Sequence, residues 1–261
     1  MAALCIAAAL SPLSASGEDA VARVMPLDSV AEIQHRLYPL QPHPLPGQLE
    51  RACNGVLASD PFRSRDAATG PAAYFDAIRP LPIGYLTWTD FPISVYVEPL
   101  TEAHETLVSL WQNAAAIALQ DWGQYLPIDQ VSSPAAADIQ LRPVMPPLRY
   151  AADGTLRAQS GEASYDFYLD DGGDGQILRH RFTVSVKPGQ APRQLEASIR
   201  HELGHAFGLW GHSSDPNDAL YYSQVRVPSP LSSRDVATLC EVYRQPTAIG
   251  WPLKPSEPIE P

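Results

Sequence analysis

Basic residues are scarce in this sequence. The chain of 261 residues contains 18 lysines and arginines against 29 aspartates and glutamates, and its formal net charge is −11. A nucleic-acid-binding protein needs a basic surface that displaces the counterions of the phosphates, and no segment supplies one. We therefore expect no nucleic-acid partner, and the acidity favours solubility.

Long apolar runs are also lacking beyond the first residues. A membrane-spanning helix needs about 20 consecutive apolar residues, and no segment after residue 17 has such a run, so we expect no stable membrane span. Residues 1–17 combine an apolar stretch with small residues behind it, which predicts the remnant of a secretory signal peptide without its basic start. A buried N-terminal helix is the alternative. A signal peptide would give the protein a secreted, periplasmic or other extracytoplasmic location.

Cysteine occurs only three times, as Cys5, Cys53 and Cys240, and never as a Cys-x-x-Cys pair. A zinc site built from thiolates is therefore not indicated. Once a signal peptide is removed, Cys53 and Cys240 remain, and they could form a disulfide in an oxidising compartment. The sequence leaves this pairing open.

Proline, in contrast, is abundant, with 27 residues against 16 glycines. The prolines cluster, and each cluster indicates a loop or linker because proline lacks an amide donor and restrains the residue before it. The predicted parts of the chain are a signal remnant at 1–17, an N-terminal accessory region at 18–80, a main domain at 81–247 and a proline-rich tail at 248–261. Within the accessory region a short helix is predicted at Asp28–Leu37, whereas Leu49–Ile78 receives no firm structure.

The main domain contains hydrophobic patterns typical of both strands and helices. Two-residue alternation predicts strands, and apolar residues at three- and four-residue steps predict helices. The predicted strands are Ile93–Val97, Ala137–Leu141, Gly161–Leu169 and Leu178–Val186, and the predicted helices are Glu102–Tyr125, Arg193–Leu209 and Ser233–Arg244. A few long helices combined with strands that mostly come first predict an α+β fold.

An acidic, glycine-rich turn, Asp170–Gly175, lies between the last two predicted strands. Such a composition could bind calcium, but the calcium-binding loop needs a glutamate eleven residues after its first aspartate, and Arg181 stands there. A solvated hairpin turn is the favoured interpretation. A structural Ca²⁺ ion is the alternative.

The clearest pattern in the chain is His201-Glu202-Leu203-Gly204-His205, within the predicted helix Arg193–Leu209. Residues four apart lie on one face of a helix, so His201 and His205 can bind a single metal ion. Glu202 then lies beside a metal-bound water rather than on the metal, where it can act as general acid and base. The pattern predicts one catalytic Zn²⁺ ion, and chance occurrence in an unrelated helix is the alternative.

A third histidine, His212, follows on a loop beyond Gly208, a residue that can end the helix in a left-handed turn. Three protein ligands and one open position are what a catalytic zinc needs, whereas a structural zinc is closed by four ligands. The position of His212 therefore favours a catalytic site.

The segment HELGHAFGLWGHS resembles the zinc-binding motif of the metzincins, in particular that of matrixin-like peptidases, including bacterial and cyanobacterial members. It has one residue more than the family between Gly208 and His212. The distance from His212 to Leu220 matches the family's spacing between its third ligand and the methionine of its Met-turn, with Leu220 in place of that methionine. The predicted elements between residues 81 and 245 also follow the family's order.

The resemblance implies a metzincin-like zincin fold, in which a mixed, twisted sheet packs against an active-site helix and a C-terminal helix. It implies zinc ligation by His201, His205 and His212 and catalysis by Glu202. It also implies that Leu220 supports the metal site from below without ligating it.

Two further residues gain a possible role from the resemblance. Asp215 is the alternative third ligand, as in some small metzincins. Tyr222 lies where two branches of the family carry a tyrosine near the zinc, and a phenol there could stabilise an oxyanion. A packed or surface tyrosine is the alternative.

Such peptidases are often made as zymogens, so residues 18–80 could be a removable propeptide, and Cys53 could cap the zinc as a thiolate. A structural or unpaired cysteine is the alternative. The remaining histidines lack partner spacing and are expected to be surface or packing residues. They are His35, His43, His104 and His180.

Together these patterns predict a zinc-dependent endopeptidase that acts as a monomer on peptides or proteins. The strand Leu178–Val186 is expected to be the sheet edge that holds an extended substrate through backbone hydrogen bonds. One alternative is a catalytically inactive zinc-binding or protein-binding domain that keeps the fold, which Leu220 and the extra residue favour and an intact Glu202 opposes. Another is a calcium-dependent adhesion module built on Asp170–Gly175.

Overall fold

The computed structural model of the protein describes most of the chain from residue 40 to residue 252. The described ranges are 23–25, 40–58, 73–101, 103–150, 156–157, 159–172 and 175–252. The predicted signal remnant, the predicted helix at Asp28–Leu37, His35 and the tail beyond residue 252 lie outside these ranges.

The described residues form an α+β structure, as predicted. Its α-helices are α1 (Gly47–Ala58), α2 (Glu105–Gly123), α3 (Pro192–Ala206) and α4 (Ser233–Tyr243). Its strands are β1 (Arg23–Met25), β2 (Ile93–Val97), β3 (Ile128–Val131), β4 (Ile139–Arg142), β5 (Arg149–Tyr150), β6 (Leu156–Arg157), β7 (Gly161–Gly172) and β8 (Gly175–Val186). None of the helices in the described residues is long and apolar enough to cross a membrane.

Six strands form one mixed sheet in the order β1-β7-β8-β4-β2-β3, while β5 and β6 form a separate two-stranded ribbon. Strands β3, β2, β4 and β8 are parallel to one another, whereas β7 is antiparallel to β8. The expectation that β8 is the edge strand is wrong. The chain turns back at Gly172–Gly175, so β7 covers the outer side of β8 over the full length of the hairpin.

The outer side of β7 is covered for only a short distance. Strand β1 pairs with β7 at Phe167–Leu169. The described residues contribute no strand alongside the earlier part of β7, from Gly161 to Asp166. That part of β7 is therefore the sheet edge next to α3, against which β7 packs.

Helix α2 follows the predicted apolar stripe. Its buried residues are Trp111, Ala114, Ala115, Ala118 and Trp122. It begins three residues later than predicted, because the side chain of His104 caps it by accepting a hydrogen bond from the backbone N–H of Thr106. The cap also gives His104 a role at the surface, in line with the prediction that it is a surface or packing residue.

Helix α1 lies in the segment for which no firm structure is predicted. Two of its residues, Leu49 and Cys53, are almost fully buried. The helix packs against α4, and Cys53 forms a disulfide with Cys240 of α4, with 5.7 Å between the two Cα atoms. The hypothesis that Cys53 caps a metal as a thiolate is therefore wrong, because its sulfur is bonded to another sulfur.

The acidic turn between β7 and β8 is a hairpin turn, as predicted. Gly172 and Gly175 are the last pair of the hairpin. Asp170 accepts a hydrogen bond from Arg179 Nε at 2.8 Å, and Arg179 also pairs with Asp90. The carboxylate of Asp170 is thus engaged in an ion pair in this structure.

Candidate metal centre

Helix α3 carries the His-Glu-x-x-His segment and is fixed from several sides. Its apolar face, with Leu195, Ile199 and Leu203, is completely buried. Trp122 Nε1 of α2 donates a hydrogen bond to the carbonyl of Arg200 at 3.0 Å, and Arg200 pairs with Asp121 at 2.6 Å. Because α2 and the sheet hold the helix in place, the polar residues on its other face have defined positions.

The three predicted metal ligands lie together. One candidate ligand atom from each of His201, His205 and His212 lies within 4.8 Å of those of the other two. The ring centroids are 4.9 Å apart for His201 and His205, 5.2 Å for His201 and His212, and 4.8 Å for His205 and His212. The three histidines are therefore close enough to bind one metal ion.

The extra residue between Gly208 and His212 is accommodated in a compact loop. Gly208 has a φ of 113°, the left-handed conformation expected at the end of α3. Two short turns follow, in which Trp210 N donates to the carbonyl of Gly208 and Gly211 N donates to that of Leu209, each at 2.9 Å. Arg79 N also donates to the carbonyl of Trp210 at 3.3 Å. The loop thus accommodates the extra residue in its turns and its contact with Arg79, and His212 still lies close to His201 and His205 of the helix.

Backbone carbonyls define which nitrogen of two rings faces the centre of the cluster. His201 Nδ1 lies 2.9 Å from the carbonyl oxygen of Ala219, and His205 Nδ1 lies 2.7 Å from that of Leu209. A carbonyl can only accept, so each Nδ1 carries the proton and each Nε2 keeps its lone pair. This is the arrangement in which outer hydrogen bonds orient histidines that bind a metal.

The three imidazoles are also in the protonation state that a metal requires. Burial lowers the pKa of His201 to about 4 and that of His205 well below the usual value. Burial also lowers the pKa of His212. At neutral pH all three rings are uncharged and able to donate a lone pair.

Glu202 lies against the edge of β7. A Cβ atom added at Gly161 would lie 2.5 Å from Glu202 Cγ and 2.7 Å from its Oε1, so only glycine leaves room for this side chain. Burial and the nearby charge of Glu162 raise the pKa of Glu202 to about 8, while a hydrogen bond with the backbone of Ala163 opposes the rise. A dication bound beside it would favour the carboxylate form.

Leu220, the residue predicted to stand at the Met-turn position, packs against Gly204 of α3 beside the histidine cluster. It is fully buried, and a Cβ atom at Gly204 would lie 2.7 Å from Leu220 Cδ2, so the leucine packs against α3 between the two histidines of the helix. Its backbone is also fixed, because Ser213 N donates to the carbonyl of Leu220 at 2.8 Å. The turn thus connects the chain after His212 with the underside of α3.

Asp215 and Tyr222 lie outside the cluster of histidines. Asp215 Oδ1 accepts hydrogen bonds from the backbone and side chain of Asn217, at 3.0 and 2.9 Å, and it is not in the group of possible metal ligands that includes His212. The alternative assignment of Asp215 as third ligand therefore has no geometric support. Tyr222 borders the site, with 64% of its surface exposed and its ring next to that of Tyr221.

A cavity of about 460 Å³ opens beside His201, Glu202 and His212. Its walls are formed by the start of β7, by the Gln194–Ser198 segment of α3 and by the loop at 218–229. Gln194 Nε2 donates to the carbonyl of Val225 at 3.1 Å, and Gln224 Nε2 donates to Ser160 Oγ, so the loop is tied to both other walls. The described lining contains no lysine or arginine.

Two buried aspartates that support the site have no predicted role there. Asp218 accepts hydrogen bonds from the hydroxyls of Ser213 and Ser232 and from Arg234. Asp235 is completely buried and lies in the first turn of α4. A Ser-x-x-Asp sequence before an apolar run is a capping signal, but it gives no information about the contact with the metal centre.

The remaining histidines of the described residues have packing roles, as predicted. His43 Nε2 bonds to the carbonyl of Ile249 at 3.1 Å, and its ring stacks on Trp251. His180 is buried against Trp88, with 4.0 Å between ring centroids.

No protein-family model matches the chain, and no curated protein matches it either. The functional assignment therefore depends on the geometry and chemistry of the site.

Proposed function

We propose that this protein is a zinc-dependent endopeptidase of the metzincin type, similar to the matrixins. The observation that carries the proposal is the cluster of His201, His205 and His212 with Glu202 at its edge, open to the cavity. Three neutral imidazoles and an adjacent carboxylate are the residues that a hydrolytic metal centre needs.

The donor set fits zinc better than calcium or magnesium. All three candidate ligands are imidazole nitrogens, which suit zinc and other late transition metals, whereas calcium and magnesium prefer oxygen. Zinc, when bound, lowers the pKa of a coordinated water to about 7 and polarises a substrate carbonyl. The cavity on one side of the cluster leaves room for water and substrate.

Glu202 is the proposed general acid and base. A water molecule on the cavity side loses a proton to Glu202 while its oxygen bonds to the carbonyl carbon of the scissile peptide. Glu202 then delivers that proton to the amide nitrogen as the C–N bond breaks. The position of Glu202 supports this role, because the residue packs against Gly161 and lines the same cavity as His201 and His212.

The edge of β7 is the proposed binding site for the substrate backbone. Its Gly161–Asp166 portion lies next to Glu202 and forms the edge of the sheet in the described residues. An extended peptide can add to such an edge through main-chain hydrogen bonds. The cavity beside His201 would then receive a substrate side chain, and its lining, which contains Glu202 and Asp218 but no lysine or arginine, disfavours an acidic one.

The Cys53–Cys240 disulfide supports a secreted or periplasmic location, because disulfides persist mainly in oxidising compartments. It agrees with the interpretation of residues 1–17 as a signal remnant.

Replacement of Glu202 tests the proposal. Glu202→Gln keeps the size of the side chain and removes the base, so we expect zinc content to stay at about one ion per chain while kcat falls by at least about 100-fold. Metal analysis and cleavage of a denatured protein substrate would measure the two quantities.

Glu196→Gln is the matched control, because Glu196 lies on the same helix outside the cavity lining. It should keep both zinc and activity. Full activity of Glu202→Gln would rule out the mechanism, and a zinc-loaded wild-type protein without peptidase activity would favour the non-catalytic alternative.

A further inference from the structure

The segment just before the predicted domain contacts the last helix through Tyr74. This residue belongs to the region 18–80, for which a removable propeptide is one interpretation. Its ring is buried, its hydroxyl donates to Asp235 Oδ1 at 2.6 Å, and its backbone N donates to Thr238 Oγ1 at 3.1 Å. Tyr74 is thus bonded to α4 by both its side chain and its main chain.

Asp235 connects this contact to the turn beneath the metal centre. Its Oδ2 accepts hydrogen bonds from Ala219 N at 2.9 Å and from Ser232 N at 2.8 Å, and its Oδ1 accepts a longer one from Leu220 N at 3.4 Å. The hydroxyl of Tyr74 makes the shortest of these contacts with the carboxylate. Because the carboxylate is fully buried, each donor contributes to fixing its position.

Ala219, whose N–H bonds to Asp235, also contacts a candidate metal ligand. The carbonyl of Ala219 accepts the hydrogen bond from His201 Nδ1 at 2.9 Å. A continuous series of contacts therefore runs from the Tyr74 hydroxyl through Asp235 and Ala219 to the His201 ring. Residues 74 and 235 are 161 positions apart in the sequence, so the link exists only in the folded chain.

We propose that Tyr74 is a positioning residue for the metal centre, and that the chain from at least residue 74 onward belongs to the working peptidase. The inference rests on the proposed function, since it concerns the same metal site. Tyr74 acts through Asp235: its hydroxyl fixes the carboxylate, the carboxylate fixes the turn at Ala219–Leu220, and the turn orients the ring of His201. Cleavage after residue 74 would remove the first of these contacts and weaken metal binding rather than activate the enzyme.

A second restraint supports the same region of the chain. The Cys53–Cys240 disulfide joins α1 to α4, the helix that carries Asp235. Gln41, which precedes α1, and Thr247, which follows α4, also exchange backbone hydrogen bonds at 3.1 and 3.0 Å. Residues on the N-terminal side of the predicted domain are therefore joined to its C-terminal helix and to the segment that follows this helix.

Tyr74→Phe in the full-length protein tests the inference, because it removes the hydroxyl and keeps the buried ring. Loss of outer hydrogen bonds to metal ligands typically weakens metal affinity by 10- to 100-fold, and Tyr74 acts one step further away. We therefore expect the Kd for zinc, measured by competition with a chromophoric chelator, to rise about tenfold. We also expect kcat to fall while KM stays within about twofold, because substrate contacts are untouched.

Tyr243→Phe is the matched control. Like Tyr74, Tyr243 is a buried tyrosine, but it lies within α4 and its hydroxyl is not bonded to Asp235. It should keep the wild-type Kd for zinc whatever its effect on Tm, whereas Tyr74→Phe should raise the Kd at temperatures at which circular dichroism shows it to be folded.

A Tyr74→Phe variant with the wild-type zinc Kd would overturn the positioning role and leave the proposed function intact. A wild-type protein that binds no zinc would overturn both. A raised Kd in both tyrosine variants would also contradict the inference, because it would indicate a general loss of helix packing.

Discussion

At the scale of single residues, imidazoles of the protein lie in two different environments. His201 and His205 each bond to a backbone carbonyl through Nδ1. His180, on β8, is 1% exposed and stacks on Trp88, and neither of its ring nitrogens has a hydrogen-bond partner in the described residues. Burial lowers the pKa of His180 to about 3, so it is neutral in the folded protein. His180 is therefore a packing residue whose two ring nitrogens lack hydrogen-bond partners in the described residues.

We predict that His180→Phe stabilises the protein. The change replaces two buried nitrogens that lack partners with carbon, and leaving a buried polar group unsatisfied costs about 1–3 kcal/mol. Urea unfolding of the metal-free proteins at pH 7 should therefore give a higher free energy of unfolding for the variant.

The difference should grow in acid. The folded-state pKa of His180 is about 3 and its unfolded value is 6.5, so the wild-type protein loses stability as the pH falls from 6.5 towards 3. The slope is at most about 1.4 kcal/mol per pH unit, and the phenyl ring of the variant cannot titrate. Unfolding at pH 5 should widen the gap by up to about 2 kcal/mol. An equal gap at both pH values would contradict this explanation.

The residues of the histidine cluster could be predicted from the sequence, but their supporting contacts could not. His201, Glu202 and His205 could be recognised because their spacing is local to one helix. The carbonyls of Ala219 and Leu209 cannot be recognised in this way, since any residue has a carbonyl and the fold decides which one approaches a ring. Tyr74 and Asp235 are also invisible as a pair, because they meet only after folding.

At the scale of elements, the last helix, α4, is the part of the structure on which several supports converge. Its capping box joins Ser232 and Asp235, Asp235 bonds to the Ala219–Leu220 turn beside the histidine cluster, and Cys240 is bonded to Cys53 of α1. The position of α4 therefore affects the candidate site although none of its residues belongs to the histidine cluster.

We predict that loss of the disulfide destabilises the fold. The two cysteines are separated by 187 residues, so the cross-link closes a long loop in the unfolded chain. Removal of such a native disulfide typically costs about 2–5 kcal/mol. Thermal or urea unfolding of Cys53→Ser/Cys240→Ser should show the loss, and a reducing agent should produce a similar loss in the wild type.

The double variant provides its own control, because a reducing agent should not change its unfolding midpoint. A wild-type midpoint that is also insensitive to reduction would contradict the stabilising role of the disulfide.

The elements that the sequence did not predict are short or half exposed. Strand β3 has four residues, of which none is fully buried, so its pattern does not alternate clearly. Helix α1 is held by Leu49 and Cys53 on one face, which is too few apolar positions to define a helix without the contact with α4. The long helix α2 and the long strand β8 were predicted because their buried faces repeat over many residues.

At the scale of the whole molecule, the mixed sheet, the helix α3 and the loop at 218–229 enclose one cavity at the histidine cluster. The α+β class followed from the order of the elements, but the place of each strand in the sheet did not. Because β7 pairs with β8, the sheet edge beside the site belongs to β7 and not to β8 in the described residues. The proposed path of the substrate therefore follows Gly161–Asp166.

The central claim is that His201, His205 and His212 bind one zinc ion. X-ray absorption of the zinc-loaded, full-length protein would test it most directly, in combination with metal analysis of the purified wild type. We predict about one zinc per chain, with imidazole scattering from three nitrogens at about 2.0–2.1 Å and a fourth light-atom ligand. His212→Ala should reduce the imidazole contribution and weaken zinc binding, whereas His104→Ala, at the cap of α2, should change neither. Absence of zinc, or a zinc spectrum that His212→Ala leaves unchanged, would contradict the account.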